Sequence, residues 1–270
     1  MDNNRTAKIS FYILAHADDG QLFMQPNIYL DLVAPNNKVV FIITTAGDAD
    51  MGANYWLARE EGLKSSVRFC LAPVGILSEA DGKKECDSHM VHCWSVNNAT
   101  CYFLRLPDGG LDGNGFPENN YQSLSRFSAG HMEAITAIDQ STTYHSWLDF
   151  YTTLQTIILQ ESTGISDIWI NYLNPDENDN PNDHPDHMAT GKAIQAIPIV
   201  ARLRQVLFTG YSSSQNPEKL SAEYLFWKAG MFAAYEKAVY DQSGYSTLHE
   251  GISVYMDWCI SNARFITIEP

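Results

Sequence analysis

Four short runs of β-branched and aromatic residues, separated by longer stretches with helical spacing, constrain the fold of this chain more than any other feature. "KISFYILA" (residues 8–15), "KVVFIITTAG" (38–47), "SDIWINYLN" (166–174) and "QVLFTGY" (205–211) read as strands. The second is almost continuously apolar, the pattern of a strand covered on both faces. Between them, "GQLFMQPNIYLDLVA" (20–34) reads as partly helical with an interruption near Pro26. "GANYWLAREEGLKSSVRFCLA" (52–72) places Trp56, Arg59, Glu60 and Leu63 at helical spacing. Such alternation implies an α/β architecture, a mostly parallel sheet flanked by helices.

The remaining stretches add detail. "VHCWSV" and "CYFLRL" are strand-like, and "LPDGGLDGNGFP" is an extended loop. "SLSRFSAGHMEAITAI" (123–138) and "YHSWLDFYTTLQTIILQES" (144–162) suggest helices, with Trp147, Phe150 and Tyr151 as core. "PDENDNPNDHPD" is a long polar loop, a helix runs on toward Pro198, and "SAEYLFWKAGMFAAYEKAVY" (221–240) is another helix. Without a repeat or a linker, residues 1–270 read as one domain.

Composition narrows the partners. At 45% hydrophobic residues the chain has material for a sizeable core, and its formal net charge of −15 argues against nucleic acid or an anionic membrane as partner. No run approaches the roughly 20 apolar residues of a membrane span. The start, "MDNNRTAKIS", lacks a signal-peptide core, so the cytoplasm is the expected compartment. The oligomeric state is not legible, and a homo-oligomer stays open. Of five cysteines, Cys86, Cys93 and Cys101 share a polar stretch with His89 and His92, which are zinc-ligand types without the tight spacing of a finger. Reduced thiols are the better reading.

Chemistry concentrates in two clusters. "AHADD" (15–19) follows the first strand, where ligands of open α/β sheets gather. His16 and Asp19 are three apart and share a face if the chain turns helical there. One carboxylate would suffice to cap a helix. Two adjacent ones call for a cation, a metal ion or a shared proton. The second cluster, "NDHPDHMATG" (182–191), places Pro185 in a first helical turn, with His184 and His187 on either side of Asp186. One His and one Asp from the first cluster with one His from the second would make the three protein ligands of an open zinc site. Asp18 and His184 would then act on water and substrate.

These residues resemble the PIG-L/LmbE-type superfamily of zinc-dependent de-N-acetylases, which act largely on N-acetylglucosamine-containing molecules. The family's A-H-P-D-D-E reads Ala15-His16-Ala17-Asp18-Asp19-Gly20 here, and its H-P-D-H stands unchanged at His184–His187. "TTAGD" (44–48), "LAREEG" (57–62) and "LPDGG" (106–110) match more weakly, in the family's order. The resemblance implies a Rossmann-like LmbE-type fold and a zinc ion (Zn2+) on His16, Asp19 and His187. It implies Asp18 as general base and His184, oriented by Asp186, as oxyanion stabiliser or acid. It implies Arg59 and Asp108 as contacts to a small-molecule amino-sugar substrate. Ala17 loosens the loop that Pro would stiffen, Gly20 drops a Glu, and the acidic insert puts Asn182 two residues before His184, where it is no match for a substrate-contacting aromatic. An inactive sugar-binding or scaffold protein that keeps the fold is the alternative. A nucleotide-binding enzyme lacks its G-x-G-x-x-G, and a serine hydrolase its G-x-S-x-G.

Overall fold

The structure, a computed structural model, describes residues 7–270; the first six, at the start of the polar N-terminal stretch, lie outside the described residues. Strand β1 (Lys8–Leu14) leads through short helices α1 (Asp19–Phe23) and α2 (Asn27–Val33) to β2 (Asn37–Thr45) and the long helix α3 (Ala53–Leu71). Strands β3 (Glu79–Cys86), β4 (His89–Val96) and β5 (Ala99–Leu106) follow, then α4 (Leu124–Ser128) and a small hairpin, β6 (Ile135–Thr136) with β7 (Thr143–Tyr144). The chain continues as α5 (Trp147–Glu161), β8 (Asp167–Leu173), α6 (Pro185–Ala196), β9 (Arg204–Phe208), α7 (Ala222–Ser243), α8 (Ile252–Ile260) and β10 (Phe265–Ile268).

Eight strands form one sheet in the order β10-β9-β8-β1-β2-β5-β4-β3. The inner five, β9 to β5, are parallel, and β10, β4 and β3 pair antiparallel at the edges. From β1 the chain first builds toward β2 and β5, then returns to place β8 on the other side of β1. That reversal opens a crevice beyond the carboxyl ends of β1 and β8, where the loops diverge. The "AHADD" loop leaves one of these strands and the "NDHPDH" loop the other.

Helices cover both faces. Side chains of α1, α2, α3 and α7 pack with Tyr12, Phe41 and Phe103 on one face; α4, α5 and α6 pack with Phe11, Ile42 and Ile170 on the other. β2 is buried along nearly its whole length, in accord with its unbroken apolar run. Phe150 is fully buried in the second layer, with Trp147 and Tyr151 packed against it.

One local expectation changes, one strand is added, and the reading of the cysteines as reduced thiols stands. Residues 123–138 are helical only over Leu124–Ser128: Gly130 turns the chain in the left-handed region, and Ile135–Thr136 pairs with Thr143–Tyr144 as a hairpin. β3, "EADGKKEC", was invisible as a strand because it is an exposed edge with polar residues on both faces. The cysteines cannot share a metal: Cys101 lies in the first core layer, whereas Cys86 and Cys93 pack in the second. Burial raises the pKa of all three thiols, Cys86 to about 11.

Candidate metal centre

At the end of β1 the chain is folded back on a single carboxylate. Asp19 Oδ2 accepts the N–H groups of Ala15 and His16, each at 2.9 Å, which braces the strand end and leaves Oδ1 free to face outward. Asp18 occupies the N-cap position of α1 but makes no side-chain cap bond. The helix-capping reading of the acid pair is therefore not what the structure shows.

The second cluster starts α6. His184 is its N-cap, Pro185 its first residue, and the His184 Nδ1 accepts the backbone N–H of Asp186 at 3.1 Å. His187, in the first turn, points its Nδ1 at Asp183 Oδ1, 2.9 Å away. Its Nε2 then faces Asp19 Oδ1 at 3.0 Å and His16 Nδ1 at 3.2 Å, while Asp19 Oδ1 and His16 Nδ1 are 3.5 Å apart. All three side chains are buried. Tetrahedral ligands bound at roughly 2.0–2.1 Å lie about 3.3 Å from one another, so the spacing of this trio matches a zinc-type ligand face.

Charge and proton inventory agree. If His187 Nδ1–H donates to Asp183, its Nε2 is a lone pair, opposed at contact distance by a carboxylate oxygen and a second imidazole nitrogen. Such a cluster needs positive charge, supplied by protons on the rings or by a cation. Burial lowers the His16 pKa, but Asp19 and hydrogen bonds to Asp186 and Asp19 outweigh it and push it up to about 10. His187 is likewise raised against burial by Asp183 and Asp19. Asp19 lies well below the usual carboxylate range, because His187 and His16 overcome a burial effect of opposite sign.

Around the trio, five blocks of sequence interlock. Asp186 Oδ2 accepts the Gly109 N–H at 2.8 Å, lies 3.4 Å from His16 Nε2, and is 3.9 Å from His184 Nδ1. The Asp186 carboxylate thus lies nearer His16 than His184, and His184 accepts the Asp186 backbone N–H. A Cβ at Gly109 would stand 2.6 Å from Asp186 Oδ1, which is why glycine follows Asp108 in "LPDGG". Asp48 of "TTAGD" anchors that loop by accepting the Asp108 N–H at 2.9 Å. Arg59 donates from Nε to Tyr235 Oη (2.8 Å), from Nη1 to the Gly47 carbonyl (2.7 Å) and from Nη2 to Asp18 Oδ1.

His16, Asp18, Asp19, Arg59, Asp108, His184 and His187 therefore line one cavity of about 230 Å3, and Asp186 lies beneath it. His184 has its pKa lowered to about 4, by burial first and the neighbouring His16 second. Asp108 is lowered against its burial by His16 and His184.

Several residues at this site escaped the sequence reading. Asp183 had a readable signal, standing one helical turn before His187 in "NDHPDH". Tyr211 and Trp258 had none. Their rings stack at 5.1 Å and wall the cavity, and Trp258 Nε1 donates to the Tyr211 carbonyl at 2.9 Å. Trp258 comes from the final sixty residues, to which the sequence motifs assign no role.

No curated protein matches the chain significantly. Among solved structures, it resembles the N,N'-diacetylchitobiose deacetylase from Pyrococcus horikoshii complexed with its inhibitor MPG. The TM-score is 0.51 at 13% identity, over 97% of this chain and 84% of that one. It also resembles a triple mutant of a deacetylase from the teicoplanin biosynthetic pathway, with a TM-score of 0.53 at 9% identity, over 98% and 99% of the two chains. These likenesses establish that the chain shares the fold of those two proteins. Residues 11–197, which carry every block described above, match the family profile described as GlcNAc-PI de-N-acetylase; the chain belongs to the PIG-L family.

Proposed function

We propose that the protein is a zinc-dependent hydrolase that removes the N-acetyl group from an N-acetylglucosamine-containing small molecule or glycan. The observation that carries the reading is the convergence of Asp19 Oδ1, His16 Nδ1 and His187 Nε2 at 3.0–3.5 Å beside a second, non-ligating carboxylate, Asp18. A zinc ion there would polarise the amide carbonyl and make water acidic near neutral pH.

The chain's own groups account for the proton transfers. Asp18, gripped at Oδ1 by Arg59, takes a proton from the attacking water at Oδ2. His184 accepts the Asp186 N–H at Nδ1, so its neutral ring carries the proton on Nε2 and donates to the carbonyl oxygen as charge develops there. The departing nitrogen is protonated by Asp18, which returns the proton it took from the water, and the products are acetate and a free amine. Asp108 would accept from a sugar hydroxyl, a role supported by its position in the cavity lining and its lowered pKa. The volume of about 230 Å3 is below the roughly 300–1,000 Å3 of drug-sized sites, which suits one sugar ring's acetamide end, with the rest of a larger substrate outside.

Elemental analysis of wild type and His187→Ala, beside acetate release from N-acetylglucosaminides, tests this. About one zinc per chain, lost in the variant, with chelator-sensitive acetate release is the expected result. Glycan binding with no acetate release from any N-acetylglucosaminide would favour a binding protein that has kept the fold.

A further inference from the structure

We propose that Tyr235, on α7 and outside the cavity lining, is a positioning residue for this reaction: its hydroxyl sets the Arg59 guanidinium, which in turn sets the Asp18 carboxylate. The inference rests on the hydrolase reading above. Arg59 is buried and held on three sides, by Tyr235 Oη, the Gly47 carbonyl and Asp18 Oδ1. A guanidinium is planar with donors in a fixed fork, so two anchored edges dictate where the third points. Arg59 Nη2 donates to Asp18 Oδ1, so the direction of the carboxylate's other oxygen follows this fork.

Two glycines show that the seat is built around these groups. Gly47 lies at φ +58°, and a Cβ on it would come 2.2 Å from Arg59 Nη1. On α3, one turn from Arg59, a Cβ at Gly62 would come 2.6 Å from the Tyr235 ring, so the missing side chain lets α7 approach closely enough to deliver the hydroxyl. Tyr235 is fully buried, its ring stacked at 9° on Phe232. Phenylalanine would satisfy that packing equally well. A buried hydroxyl is unfavourable without a partner, and the partner found is Arg59.

The experiment compares wild type with Tyr235→Phe, which keeps the ring, using N-acetylglucosamine as probe substrate. We expect kcat to fall about tenfold or more, as displaced catalytic groups do, with KM within about twofold and zinc content unchanged. In 15N NMR the Arg59 Nε–H signal should move or lose its protection from exchange. A wild type that releases acetate and a Tyr235→Phe variant with the same kcat would overturn the proposal. So would a fall in melting temperature with an unmoved Arg59 signal, because the hydroxyl would then serve packing alone. If the wild type releases no acetate, the hydrolase reading fails by itself. The Arg59 signal still decides then: unchanged in Tyr235→Phe, it removes the clamp; shifted, it retains it.

Discussion

Asp183 Oδ1 stands 2.9 Å from His187 Nδ1, one turn of chain earlier, and this contact decides which nitrogen of His187 faces Asp19 and His16. Asp183 also accepts from the Asn180 side chain and the Tyr211 N–H, so its position is fixed from both sides. Carboxylates behind ligating histidines raise their basicity and hold their orientation. Asp183→Asn is therefore expected to weaken zinc binding about 10–100-fold; competitive metal titration against a chelating dye measures it, and wild-type affinity would refute the role.

Asp18→Asn separates proton transfer from metal binding. The variant should retain its zinc by elemental analysis and lose about 10²–10⁴-fold in turnover, the usual contribution of a general base. Unchanged turnover would remove Asp18 from the mechanism.

The metal-free protein should lose stability as pH rises. His16 is raised from its ordinary 6.5 to about 10, so the folded state binds more protons than the unfolded state between those values. Its contribution is complete below pH 6.5 and is lost on passing through pH 10. Zinc binding displaces those ring protons, so its affinity should rise over the same interval. Melting curves of the stripped protein from pH 6.5 to 10 check the first statement. A flat profile, or one unaltered in His16→Gln, would contradict it.

His184 works in the opposite sense. Lowered to about 4, it stays neutral in the fold while the unfolded chain protonates near 6.5, so its contribution is present above pH 6.5 and lost as pH falls toward 4. His184→Gln should flatten the acid limb of the stability profile and, because the cavity loses its Nε2 donor, lower turnover by about 10²-fold or more.

Gly47→Ala should be costly although it adds one methyl group. The positive φ and a contact of 2.2 Å with Arg59 Nη1 force backbone or guanidinium to shift. A destabilisation of about 1–3 kcal/mol is expected in urea unfolding, with a loss of turnover exceeding that of Gly52→Ala, where a Cβ meets nothing within 4 Å.

The sequence by itself determined the parts that obey short-range rules. Apolar runs such as residues 38–47 become strands because both their faces are buried, and Pro185 with His184 marks a helix start because its first N–H groups need no helical partner. The ligand types and their two blocks were legible for the same reason, since each is a compact motif at the end of one strand.

Tertiary structure decided how the blocks face one another. Only the return of the chain to set β8 beside β1 brings His187 within 3.2 Å of His16, across 171 residues of sequence. The same long-range packing assigns the Asp186 carboxylate to His16, ties Arg59 to Tyr235, and carries Trp258 to the cavity wall. No local pattern records these pairings, because each depends on the separation of two elements across the sheet and not on the residues beside it in the chain. The polar edge strand β3 was hidden for a related reason: its backbone is ordered by pairing with β4, while its exposed side chains carry no apolar period.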